Sequence, residues 1–272
     1  MLLPEKVHLD HASHIYTDDS ELIYQSTSKF VEGFSEPFNQ KMLAEMTAKK
    51  RKRVVEDTAR DRKISIPQAQ SSLPKFSRGI TTQQVIQEWE AKRDEAANAG
   101  TFVHNLVENY IKTGQITDER YTDYCHFIQK ILAKYHSFYS EEILYNEEYM
   151  VAGTSDLILQ RTKSKQSVMD ITDFKTNYNG FTYNSISTDQ YTGQRKHNNR
   201  YFLDPIGHVE KSYFTKTCLQ LSKYMWMLEQ QGFKPGCLYV ILLDWRLQHK
   251  PKVVHIPYMK LEIEAMLNHK PF

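Results

Sequence analysis

The segment "VMDITDFKTN", Val168 to Asn177, sets two aspartates and a lysine among apolar residues that otherwise read as a β-strand. Alternate side chains of an extended strand share a face, so Asp173 and Lys175 point together with Met169 and Ile171 behind them, while Asp170 falls on the opposite face. The preceding "GTSDLIL" places Asp156 just before three aliphatic residues, and the short turn-like "KSKQ" allows Asp156 to come alongside Asp173. Two carboxylates at hydrogen-bonding range repel unless one is protonated or a cation bridges them. A bridging metal is the simpler answer, and hard oxygen ligands of this kind suit Mg²⁺ or Mn²⁺ bound together with substrate phosphates. Such a site supports attack of water on a phosphodiester, with the lysine positioning the nucleophile or countering charge in the transition state. Taken alone, a D-x-K tripeptide reads as an exposed strand-end ion pair worth little.

Two further spacings bear on the same chemistry. In "GTFVHNLVENY", His104 and Glu108 are four apart and share a helix face; in "CLQLSKYMWM", Gln220 and Tyr224 are also four apart, beside an apolar stripe. Each pair has a plain structural reading, as a surface pair or as a helix-edge amide with a half-buried tyrosine.

The elements that must position these residues follow from periodicity. Residues 1 to about 90 read as irregular and mainly helical, with a helix from about Glu36 into the fifties and a connector at "ISIPQAQSSLPKFSRGITT". Val85, Trp89, Phe102, Leu106 and Tyr110 predict helices flanking Gly100 and ending near Gly114. Tyr121, Tyr124, Ile128, Ile131 and Tyr135 predict another across "DERYTDYCHFIQKILAKYHSFYS". From Ile143 the period shortens, and "ILYNEEYMVAGTSDLILQRT" and "SVMDITDFKT" read as consecutive antiparallel strands. Phe214, Cys218, Leu221, Met225 and Leu228 recur at helical spacing before Gly232 and Pro235, and "GCLYVILLD" reads as a buried strand. The resulting order is helix, three strands, helix, strand, in one α/β core.

The succession G-T-x-x-H-x-x-x-E, G-T-x-D, D-x-K-T and Q-x-x-x-Y, in that order and in those elements, resembles the PD-(D/E)XK nuclease superfamily in its RecB-like exonuclease branch. Phage single-domain exonucleases and mitochondrial genome-maintenance exonucleases are most similar, over roughly Ser26 to Asp244. The resemblance implies a restriction-endonuclease-like αβββαβ core over residues 91–272, a mixed central sheet flanked by helices, and a mainly helical region over 1–90 packed on it. It implies Asp156, Asp173 and Lys175 as catalytic residues and His104, Asp156 and Asp173 as ligands for one or two Mg²⁺ or Mn²⁺ ions. Gln220, Tyr224 and Thr176 would contact substrate, with Glu108 in support. The implied activity is a stand-alone DNA exonuclease acting on single-stranded or end-frayed DNA in replication, recombination or repair, alongside proteins of those processes. An endonuclease of flapped or branched DNA is the rival enzyme; a non-catalytic nucleic-acid-binding or virion protein is the rival of another class.

Two stretches bear on substrate. "KKRKR", Lys49 to Arg53, reads equally as a phosphate-contacting patch, a nuclear-localisation run or a solvated helix face. The insertion at about 177–203 interleaves Tyr178, Phe181, Tyr183, Tyr191 and Tyr201 with Arg195, Lys196 and Arg200, as a single-strand channel requires. A surface loop without contacts is its other reading. Composition narrows the class: 272 residues with 40% hydrophobic content can bury a sizeable core, and a formal net charge of +2 does not by itself imply a polyanion partner. Cys125, Cys218 and Cys237 are widely spaced, which argues against a structural zinc site and leaves too few thiolates for an iron–sulfur cluster. With neither a leader-like segment nor a membrane span, the expectation is a soluble intracellular protein without membrane partners, cytoplasmic in the host if phage-encoded.

Overall fold

The computed structural model of the chain describes residues 2, 6–162, 167–176, 181, 186–188, 195–197 and 200–269. By internal contacts it comprises two units, one of residues Met1–Glu36 and Phe102–Phe272, the other of Pro37–Thr101.

The first unit opens with strands, not helices. β1 (Val7–Asp10), β2 (Ile15–Asp18) and β3 (Ile23–Ser26) form an antiparallel meander ahead of α1 (Thr27–Gly33). Each strand is only four residues long and buries one or two side chains, among them Val7, Tyr16 and Tyr24, so its alternation is too brief to stand out in the sequence. The turns are closed by aspartates: Asp10 accepts from the Ala12 amide, and Asp18 from the amides of Ser20 and Leu22.

The second unit holds α2 (Gln40–Arg62), α3 (Ile66–Ser71) and the first part of α4 (Thr82–Thr113). α3 lies within the stretch read as a connector, started by a capping box between Ser65 and Gln68. In the basic run, Arg51 is buried; its guanidinium pairs with Glu88 at 2.5 Å and donates to the Gly79 carbonyl. The central cation of "KKRKR" therefore braces the fold, while its four neighbours are exposed.

α4 runs unbroken through Gly100, where the sequence predicted two helices. A single glycine costs a helix only about 1 kcal/mol, less than the surrounding helix formers and the buried Val103, Leu106 and Val107 supply. α5 (Thr122–Leu132) is shorter than predicted: "SFYS" opens β4 (Ser137–Asn146), which pairs with β5 (Val151–Gln160) on both sides of Glu141. Then follow β6 (Val168–Lys175), the two-stranded ribbon β7 (Ile186–Thr188) and β8 (Arg195–His197), α6 (Tyr213–Gln230), β9 (Lys234–Leu242), β10 (Lys252–Ile256) and α7 (Lys260–His269).

The main sheet is mixed. Its order is β1-β2-β3-β5-β6-β9-β10, with β4 on the other side of β5; β3 with β5 and β6 with β9 are parallel, and the remaining pairs antiparallel. One face carries α1, α6 and α7 over a core including Ile158, Met169, Ile171, Leu219 and Met225. The opposite face carries the second part of α4 and α5 over Leu157, Leu159, Phe174 and Ile241. This is the α/β class expected, with α4, β4, β5, β6, α6 and β9 in the order helix, three strands, helix, strand. Among the described residues no helix is long and apolar enough to cross a membrane.

The apolar core under α6 encloses a lysine. Lys223 is fully buried, its Nζ has no hydrogen-bond partner among the described residues and lies 3.4 Å from the Phe30 ring centroid. Burial pushes its pKa well below the ordinary lysine value. The folded state thus binds fewer protons than the unfolded chain, so stability rises as pH climbs toward the ordinary lysine value. Lys223→Met is expected to raise stability at neutral pH by about 1–3 kcal/mol and to flatten that rise, as read by denaturant melts across pH.

Candidate active site

The ladder between β4 and β5 pairs Ser140 with Leu157 and Glu142 with Ser155, and that between β5 and β6 pairs Leu157 with Thr172. Continued by one step, those registers set Glu141 opposite Asp156 and Asp156 opposite Asp173. Both ladders omit this row. Glu141 instead takes a left-handed backbone, φ 53°, which is costly for a residue with a Cβ. Three carboxylates in neighbouring cross-strand positions on the α6 face are unfavourable by like-charge repulsion.

The sheet opens at the same place. On the side away from β4, β5 pairs with β3 at Val151 and Ala152 and with β6 at Leu157–Gln160, and residues 153–156 have no strand partner there. The Tyr16 hydroxyl fills part of the gap by accepting the Thr154 amide at 3.0 Å, and the Asp156 carboxylate accepts the Phe174 amide at 2.7 Å. Gly153 has to be glycine: a Cβ there would lie 2.7 Å from both Thr27 Oγ1 and the Tyr224 ring. The ring of Tyr224 consequently rests against the β5 backbone, and Gln220 Nε2 donates to its hydroxyl at 3.3 Å. Burial, helped by Asp173 and Asp156, raises the Tyr224 pKa, so the phenol stays protonated.

His104 reaches the row from α4. Its Nε2 is 2.8 Å from the Phe174 carbonyl oxygen, which can only accept, so Nε2 carries a proton. Nδ1 then faces Asp156 Oδ2 at 3.6 Å. A backbone carbonyl that fixes the tautomer and orients the free nitrogen is the usual arrangement behind a metal-ligating histidine. His104, Glu141 and Asp156 offer donor atoms all within 4.8 Å of one another. One imidazole nitrogen and carboxylate oxygens make a donor set that suits Mn²⁺ or Mg²⁺, so these residues fit a divalent cation.

The predicted ligand set and the triad differ by one member. Asp173, predicted as a ligand, is engaged by the lysine: Lys175 Nζ lies 2.8 Å from Oδ2 and donates to Oδ1 at 3.1 Å. Burial, with Asp156 adding and Lys175 opposing, pushes the Asp173 pKa up to about 6. Burial works against the Lys175 charge, yet Asp173 and Asp156 outweigh it and hold its pKa above the ordinary value. Glu141, which sequence reasoning missed, has its pKa pushed up to about 8 by burial and by Asp156 and Glu108. Glu108 forms an ion pair with Lys112 one turn along α4 and lies outside the triad. Thr176 follows β6 directly and is half-buried.

Asp170 occupies the other face, as its parity requires. Its carboxylate is fully buried and accepts from the Arg161 guanidinium at 2.8 and 3.0 Å, from the Tyr135 hydroxyl and from the Cys237 amide. β9 bulges opposite it, and a Cβ at Gly236 would fall 2.1 Å from its Oδ1. Asp170 is a structural knot. Much of the insertion at 177–203 lies outside the described residues, Tyr178, Tyr183 and Tyr191 included. Phe181 departs from its predicted role of stacking a base: its ring is buried, edge-on to Tyr213 and Phe214.

No family model matches the chain, and no curated protein matches it. Among solved structures, a Eubacterium rectale protein described as "Putative exonuclease" is 13% identical, with a TM-score of 0.31 over 91% of this chain and 78% of that one.

Proposed function

We propose that the chain is a metal-dependent DNA exonuclease of PD-(D/E)XK type, hydrolysing phosphodiester bonds at single-stranded or frayed ends, in replication, recombination or repair. The observation that carries this reading is the row Glu141, Asp156 and Asp173 across three strands, with Lys175 paired to Asp173 and the Nδ1 of His104 facing Asp156. The choice of DNA and of end-directed cleavage rests on the sequence resemblance.

A divalent cation held by His104, Glu141 and Asp156 would supply Lewis acidity and lower the pKa of an attacking water. The protein's own groups complete the site. Lys175, kept charged by the carboxylates beside it, is placed to offset negative charge on the phosphoryl oxygens. Asp173 restrains the ammonium through a short ion pair in which both carboxylate oxygens face it. Tyr224 and Gln220 wall the site at the gap in β5, and the protonated phenol offers a donor to the carboxylates or to substrate.

Incubation with end-labelled single-stranded DNA and Mg²⁺ or Mn²⁺ is expected to give products that EDTA abolishes, and a covalently closed single-stranded circle is expected to survive. Cleavage of the circle at a similar rate would replace the exonuclease by an endonuclease. No hydrolysis with either metal would overturn the reading.

A further inference from the structure

Next to the site, at the start of α6, stands a group that none of the motifs contains. Tyr213 is the first residue of α6 and is 38% exposed. Burial of its hydroxyl side raises its pKa, and it sits close enough to Lys175 and Asp173 for those charges to act on it as well. The ring meets buried Phe181 at a right angle, centroids 5.7 Å apart at 89°, which holds the tyrosine in place.

Two cations meet at the approach to α6. Lys211 immediately precedes the N-cap Ser212, and its amide donates to the Arg200 carbonyl at 2.7 Å beside the antiparallel bridge of Tyr201 with Glu210. Arg200 and Lys211 are therefore direct cross-strand neighbours of like charge. Such a pair is destabilising unless an anion lies across it. Neither side chain has an ion pair among the described residues; Lys216 also bears on Lys211, as do Glu32 and Glu36, of which Glu32 is engaged by Lys216 at 3.2 Å. The α6 dipole adds positive potential at the same end.

We propose that Tyr213, Arg200 and Lys211 form a nucleotide shelf beside the catalytic row, the ring stacking on an unpaired base and the two cations holding the adjoining backbone phosphates of a single strand. A stacked ring needs an exposed base face, which duplex DNA offers only at an end, so the shelf selects single-stranded substrate. This inference rests on the exonuclease reading for its substrate and names the residues that choose it.

Binding in EDTA separates the two. By fluorescence anisotropy with a labelled oligothymidine, Tyr213→Ala is expected to weaken single-strand binding about tenfold and Tyr213→Phe to leave it within twofold. The double substitution Arg200→Gln, Lys211→Gln is expected to lower the slope of log affinity against log salt by about 1.4. Blunt duplex binding should respond to Tyr213→Ala less than twofold. In Mg²⁺ the same alanine should raise KM with little change in kcat. The shelf is overturned if the unaltered protein does not bind the single strand, if Tyr213→Ala binds within twofold of it, or if duplex binding falls equally. Failure of the exonuclease reading would appear instead as binding of this pattern without metal-dependent cleavage.

Discussion

Lys175→Met is expected to lower phosphodiester hydrolysis by at least ~10³-fold while leaving the protein folded. The loss follows from position: Lys175 pairs directly with the carboxylate row at Asp173, and among the described residues no other lysine or arginine pairs with Asp173. Removing one partner of a buried ion pair usually costs about 3–5 kcal/mol, because the remaining charge is stranded. Here the penalty is relieved. Asp173 already has its pKa pushed up to about 6 by burial, and loss of the ammonium raises it further, so the carboxyl takes a proton at neutral pH. A methionine also refills most of the volume of the lysine stem. Single-turnover hydrolysis of end-labelled DNA and a thermal melt of the same sample decide the matter. Activity within tenfold of the unaltered protein would remove Lys175 from the mechanism, whereas a collapsed melt would show that its role is structural.

The candidate site was partly legible because strand parity is a hard constraint. Asp173 and Lys175 had to share a face, and Asp170 had to leave it; the structure sends Asp170 to the Arg161 and Tyr135 knot on the other layer. Asp156 could be brought beside Asp173 because the β5–β6 connection is short. Glu141 escaped for a local reason. The aromatic repeat through Tyr135 favours a helix across "YHSFYS", so periodicity places the start of the next strand at Ile143 and the glutamate outside it. Strand pairing with β5 overrides that helical period from Ser137 onward. A tertiary partner, absent from any local window, decided the element. The same reasoning covers Val7–Ser26, where three short strands are held by pairing and by Tyr16 reaching Thr154, contacts that no local periodicity encodes. Buried Arg51 and Phe181 teach the converse: residue types that suit nucleic acid were spent on internal packing.

Glu141→Gln should move stability and activity in opposite directions. In the metal-free protein the carboxylate is half-buried, faces Asp156 across the interrupted ladder and sits on a left-handed backbone, and its pKa is pushed up to about 8. The folded state therefore binds the proton more tightly than the unfolded chain does. Its contribution to stability is complete below the ordinary glutamate range and is lost as pH rises through about 8. Gln cannot ionise, so the variant should be more stable at pH 8 by about 1–3 kcal/mol, and the difference should shrink as pH falls toward the ordinary range. Mn²⁺ should reverse the ranking. Bound at 100 times its dissociation constant, the ion would add about 2.7 kcal/mol to the unaltered protein, whereas a neutral amide in place of one of three donors forfeits most of that gain. Hydrolysis should fall at least ~10²-fold with the lost affinity. Melts at two pH values with and without Mn²⁺ test each part. Equal Mn²⁺ stabilisation of both proteins would exclude Glu141 from the metal set, and a metal-free variant no more stable at pH 8 would mean that the carboxylate row is not strained as its geometry requires. The crossing of the two rankings is what separates a ligand from a glutamate that merely lies near one: a structural residue loses stability in both conditions, whereas this one carries a cost in the empty site that only a bound cation offsets.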